Sequence, residues 1–154
     1  MAKILIVDDE KAINDFIKFN LELVGHDCNQ VYDGNSGLSE ALKSKYDLII
    51  LDVMLPYYSG FEIMEYIEGT PVIFVTAKST PQDKIKGLRL GADDYITKPF
   101  DIIELTERVK AVLRRTKSDL NHFEFDDIRI EFDSRRVYKN KKEVPLKPRE
   151  FDLL

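Results

Sequence analysis

The chain has 154 residues, 44% hydrophobic and 33% charged, which sets the expectation of one domain or one domain plus a fragment. Its apolar runs are strand-sized, far short of a membrane span, and its single cysteine, Cys28, excludes an internal disulfide. The net charge is −5, and residues 117–154 hold nine basic and nine acidic side chains, so the whole imbalance falls in residues 1–116. An acidic domain of that kind does not bind nucleic acid by itself.

Residues 3–7 (KILIV) read as a strand buried on both faces. Residues 11–24 carry Ile13, Phe16, Ile17, Leu21 and Val24 at helical spacing, and Gly25 follows as a C-cap. Residues 27–31 form a weak, polar strand suited to a sheet edge. Asn35 to Ser44 is a helix, and residues 48–51 (LIIL) are the second strong strand. Pro56 and Gly60 mark a loop, and a short helix starts near Phe61. Residues 72–75 are a strand, Asp83 to Leu90 a helix closed by Gly91, and residues 95–97 a short strand. Asp101 caps a helix running to about Arg115. Five strands alternate strictly with five helices, the pattern of a doubly wound parallel α/β sheet.

The texture changes near Thr116. Residues 117–122 (KSDLNH) read as a polar linker. Short alternating runs from Phe123 onward suggest small antiparallel strands, and residues 148–154 the first turns of a helix. Such a fragment does not bury a core of its own. One crossover is also short. Returning along a strand of about 17 Å needs about 11 helical residues, more than Phe61–Ile67 provides. Either this helix is stubby or residues near Glu68-Gly69 are absent.

The ends of the strands carry the chemistry. The run at 3–7 ends in Asp8, Asp9 and Glu10, the run at 48–51 in Asp52, the run at 72–75 in Thr76, and the run at 95–97 in Lys98. Ligands of open parallel sheets bind at the carboxyl ends of the strands, so these side chains would meet in one crevice. Carboxylates suit magnesium, a hard ion that takes oxygen ligands and keeps several waters. Asp9 and Asp52 fit as ligands, with Asp8 acting through a water. An aspartate is also a nucleophile toward phosphorus, with Lys98 neutralising the donor's charge and Thr76 offering a hydroxyl. His26 and His122 lie far from any cysteine cluster, against a zinc site. The N-terminus lacks signal-peptide organisation, and a cytoplasmic location is expected.

Four motifs bring a resemblance. VDDE at 7–10, LDVMLP at 51–56, VTA at 75–77 and GADDYITKPF at 91–100 resemble the receiver domain of bacterial response regulators, over roughly residues 2–116. Residues 123–154, ending in VPLKPREFDLL, resemble the start of a winged-helix DNA-binding domain of the OmpR/PhoB type. The resemblance implies a receiver at 1–116 with a flavodoxin-like sheet of order 2-1-3-4-5, a linker at 117–122, and the incomplete winged-helix part at 123–154. It implies a two-component response regulator whose phosphoacceptor is Asp52. Asp8, Asp9, Asp52 and the Met54 carbonyl would bind Mg2+, and Lys98, joined to Pro99 by a cis bond, would pair with the phosphoryl group. Thr76 and Tyr95 would be the switch pair. The partners implied are a sensor histidine kinase, a second copy of the chain after phosphorylation, and DNA through a full C-terminal domain rather than through these 154 residues. The dimer face would use Lys84 with Glu104 and Asp94 with Arg108.

Some residues depart from the family's pattern. Met54 and Lys78, two positions after the acceptor and the switch threonine, offer no carboxylate or amide to orient a water, which leads to the expectation of slow self-dephosphorylation. Rival readings are a phosphohydrolase working through an aspartyl phosphate and a receiver-type module independent of phosphorylation. The first lacks an acid two residues after Asp52. The second leaves every filled site position unexplained. No enzymatic turnover beyond the chain's own phosphoryl transfer and dephosphorylation is expected.

Overall fold

The computed structural model describes residues 1–125. Within them β1 (Lys3–Val7), α1 (Lys11–Leu23), β2 (Asp27–Val31), α2 (Gly34–Lys43), β3 (Leu48–Leu51), α3 (Gly60–Met64), β4 (Val72–Thr76), α4 (Pro81–Arg89), β5 (Asp94–Thr97) and α5 (Ile102–Phe125) follow one another in strict alternation. The five strands form one parallel sheet of order β2-β1-β3-β4-β5. The order reverses between β1 and β3, the place where such sheets open a crevice. The polar strand β2 is at an edge, as its composition suggested.

Two apolar layers clamp the sheet. Ile4, Ile6, Leu48, Ile50, Ile73 and Val75 point to one side, against Ile17 and Leu21 of α1 and Leu105, Val109 and Val112 of α5. Leu5, Val7, Ile49, Leu51, Val72 and Phe74 point to the other, against Phe61, Ile63 and Met64 around α3. Alternate residues of one strand therefore feed opposite cores, and β1, β3 and β4 read as continuous apolar runs for that reason. Phe61 meets Phe74 edge to face, with ring centroids 5.4 Å apart.

Capping residues set the helix starts. The Asp33 carboxylate accepts from the Ser36 N–H at 2.6 Å. Ser59 and Glu62 form a reciprocal capping box at α3. The Thr80 hydroxyl accepts from the Asp83 N–H, with Pro81 in the first helical position. That threonine starts α4 two residues before the expected Asp83. The Asp101 carboxylate accepts from the Ile103 N–H at 2.8 Å, as expected of its cap. Gly25 and Gly91 leave their helices with φ of 98° and 107°.

Two elements differ in length from their simplest reading. α3 has five residues, and the chain completes the crossover with turns, the Tyr66 N–H donating to Ile63 O and the Ile67 N–H to Met64 O. α5 does not end near Arg115 but runs to Phe125, through the stretch 117–122 expected as a linker and into the first residues expected as a strand. That stretch contains no Gly or Pro to stop it. The rest of the expected winged-helix part, residues 126–154, lies outside the described residues.

Candidate functional site

β1 and β3 lie side by side with Val7 opposite Leu51, so Asp8 and Asp52 leave the sheet together at its carboxyl edge. Both are buried, 2% and 3% exposed. Each carboxylate divides its oxygens in the same way. Asp8 Oδ1 accepts from the Glu10 N–H at 2.9 Å, and Asp52 Oδ1 from the Met54 N–H at 3.1 Å, each pinning its own loop. Asp8 Oδ2 and Asp52 Oδ2 face Lys98 Nζ at 3.0 and 2.9 Å. Gly60 packs against the Asp52 carbonyl, where a Cβ would collide with it.

Lys98 reaches this point from β5. Its N–H donates to Thr76 O at 2.8 Å, and its peptide bond to Pro99 is cis, as expected. A third carboxylate completes its shell, Glu10 Oε1 at 2.5 Å. Burial works against the ammonium's charge, yet hydrogen bonds to Glu10, Asp52 and Asp8 outweigh it and hold its pKa above the ordinary lysine value. Burial pushes the Asp8 carboxyl above its ordinary value, with the Asp52 charge adding to it. The Glu10 N–H and Lys98 pull the other way.

Asp8, Glu10 and Asp52 bring carboxylate oxygens within 4.8 Å of one another. All are hard oxygen donors at one point, the donor chemistry a magnesium ion takes. Asp9 is exposed and is not in that group. Met54 is exposed and touches the site through its backbone. Thr76 is fully buried at the end of β4, its hydroxyl oxygen accepting from the Lys78 N–H at 3.3 Å. The Tyr95 ring lies 5.6 Å from that of Phe74, and its hydroxyl donates to Lys78 O at 2.6 Å. Burial, aided by the charges of Asp83 and Asp52, pushes its pKa up to about 12. The expected switch residues thus both bond the backbone at Lys78.

Two residues of the site escaped the sequence reading. Glu10 stood in the VDDE run without a role. Asn14 is completely buried. Its amide donates to Asp8 O at 2.9 Å and Val31 O at 3.0 Å and accepts from Gln30 Nε2 at 3.0 Å, tying α1 to the ends of β1 and β2. The signal was its spacing to Ile17 and Leu21, which places an amide on the inward face of α1.

Around β5 the expected dimer-face residues are close, but three of them pair inside one chain. Arg108 reaches Asp94 Oδ2 and Glu104 Oε2, each at 2.9 Å. Asp94 lies on the neighbouring strand and Glu104 one turn back on α5, so the guanidinium meets both. Lys84 is exposed on α4. Among the described residues, no helix is long and apolar enough to cross a membrane.

Comparison with known proteins gives three kinds of match. The model of the response regulator receiver domain family matches residues 4–110. The response regulator ArlR of Staphylococcus saprophyticus is 46% identical over 157 residues, covering all of this chain and 71% of that protein. That alignment is longer than the chain, so the relative carries residues that this chain lacks. Among solved structures, the receiver domain of the Francisella response regulator 1452 superposes with a TM-score of 0.72 at 39% identity, over 75% of this chain and 99% of that one. The Thermotoga maritima response regulator DrrB, described as an OmpR/PhoB homologue, gives 0.68 at 39% identity, over 75% of this chain and 54% of that one.

Proposed function

We propose, from the premise that this chain belongs to the response regulator receiver domain family, that Asp52 is the phosphoacceptor of its signalling switch. The chain is a two-component response regulator, so its phosphoryl donor is a histidine kinase. The observation that carries the assignment is the contact of buried Asp52 with Lys98 at 2.9 Å, at the carboxyl edge of the adjacent strands β1 and β3. An Asp52 carboxylate oxygen would form the new bond to phosphorus as the bond from phosphorus to the donor's imidazole nitrogen breaks, the electron pair staying with the imidazole. Lys98 would pass from the carboxylates to a phosphoryl oxygen and offset its charge. Asp8, Asp9, Asp52 and the Met54 carbonyl would hold a magnesium ion. When bound, that ion supplies charge neutralisation at the phosphoryl oxygens.

Thr76 and Tyr95 are proposed as the switch pair. Both bond the backbone at Lys78, so a new acceptor for the Thr76 hydroxyl would alter the segment that holds the Tyr95 ring. The face of α4, β5 and α5 would then carry the output, a homodimer using Lys84 with Glu104 and Asp94 with Arg108. DNA would be met by the part of the protein that follows the receiver.

The test is incubation with acetyl phosphate and magnesium, followed by intact-mass measurement. A gain of one phosphoryl group is expected, lost in Asp52→Asn. Phosphorylation that persists in that variant would remove Asp52 from the role.

A further inference from the structure

We propose that Glu10 is a positioning residue that keeps Lys98 partnered when Asp8 and Asp52 turn to the metal ion. The proposal rests on the reading of the crevice as a magnesium and phosphoryl site. The Lys98 ammonium, with three donors, donates to Glu10 and Asp52 and forms an ion pair with Asp8 at 3.0 Å. This set of three carboxylates surrounds the charge. It is also in conflict with metal binding, because the free oxygens of the two buried aspartates are those now given to Lys98. Their other oxygens, Asp8 Oδ1 and Asp52 Oδ1, hold the N–H groups of Glu10 and Met54 and so shape the two loops. Ligation through Oδ2 therefore displaces Lys98 from Asp8 and Asp52.

The displaced lysine cannot be left alone. Its side chain is 10% exposed, so a lost partner leaves a charge buried without compensation. Of the three carboxylates only Glu10 can move with it. The Asp8 and Asp52 side chains are 3% exposed, that of Glu10 57%. Glu10 can change rotamer at the rim without giving up solvent, and it makes the shortest of the three contacts. It also precedes α1 on the short turn that Asp8 Oδ1 fixes, so its backbone stays in place while its carboxylate swings. Glu10 acts through Lys98 and is no ligand in this account.

The experiment is a magnesium titration by isothermal calorimetry on the whole chain, with Glu10→Gln, Lys98→Gln and the double variant. Glu10→Gln is expected to weaken magnesium binding about tenfold, the lower end of what residues that support metal ligands contribute. In the Lys98→Gln background the same change is expected to cost only about two- to threefold, the share left to simple attraction between an exposed carboxylate and the ion. Glu10→Asp, which keeps the charge on a shorter stem, should restore part of the loss. An equal loss in both backgrounds would make Glu10 a ligand or a field effect and overturn the proposal, as would no loss in either. If the unaltered chain does not bind magnesium, the reading of the crevice itself fails, and the proposal with it. Should Lys98→Gln not fold, lysine labelled with nitrogen-15 gives a second measurement. The Lys98 ammonium signal should stay protected on magnesium addition in the unaltered chain and lose protection in Glu10→Gln. Equal protection in both would overturn the proposal.

Discussion

Removing Lys98 would leave Asp8 and Asp52 facing each other, buried and like-charged. Their charges are compensated by the lysine, whose contacts to them are 3.0 and 2.9 Å. Breaking a buried pair by deleting one partner costs about 3–5 kcal/mol, because the charge left behind has no compensation. Lys98→Met is therefore expected to lower thermal stability by about that much, with millimolar magnesium recovering a large part of it. Thermal unfolding followed by circular dichroism, with and without the ion, checks both. A variant as stable as the parent without magnesium would mean the carboxylates do not depend on the lysine. This part of the site was legible in the sequence because polar residues that end apolar strands must share one sheet edge. Asn14 and Glu10 were less legible. A buried amide interrupts an apolar pattern by one residue and looks like noise, and the reach of a flexible glutamate is set by its rotamer rather than by its register.

Helix α4 carries an exception to the usual ranking of helix residues. Alanine in place of a mid-helix glycine ordinarily stabilises by about 1 kcal/mol. At Gly87 a Cβ would stand 2.8 and 2.9 Å from Cδ2 and Cε2 of Tyr95 and 3.2 Å from Cδ2 of Phe74. Overpacking of that kind costs about 1–3 kcal/mol, so Gly87→Ala is expected to destabilise the chain or expel the ring. In a Tyr95→Ala background the same change should regain the ordinary stabilisation. Urea denaturation of the four proteins reads the coupling, and a stabilised Gly87→Ala single variant would show that the ring yields freely. Element positions were easy to read where an apolar run or a cap was plain, as at β3 and at the Asp101 start of α5. Lengths were harder. The end of α5 was misplaced because Ser, Asp and Asn in residues 117–122 resemble a linker by composition, whereas only Gly or Pro would have broken the helix there. At α3 strand length showed that the crossover was short but left open a stubby helix or residues absent near Glu68-Gly69, and the helix has five residues.

At the scale of the whole molecule, charge on the α4, β5 and α5 face would set the pairing of two copies in the proposed dimer. In a twofold dimer each contact occurs twice, and each exposed pair is worth about 0–1 kcal/mol. Lys84→Glu is thus expected to weaken dimerisation of the phosphorylated chain by up to about thirtyfold, for two pairs of that strength. Adding Glu104→Lys should restore it. Sedimentation velocity on phosphorylated protein measures the effect. Dimerisation untouched by Lys84→Glu would place the interface elsewhere. Within one chain Arg108 already spans Asp94 and Glu104, so a dimer that used Arg108 across the interface would exchange partners rather than recruit an idle charge. The same face is bounded by α5, whose 24 residues extend about 36 Å at helical rise. Its buried side chains Leu105, Val109 and Val112 anchor the first half to the sheet. Past that anchor the helix works as a crankshaft. Adding or deleting one residue in its second half would move the helix end by only about 1.5 Å but turn it by about 100°, so such a change steers whatever follows by rotation while leaving its distance from Asp52 nearly unchanged.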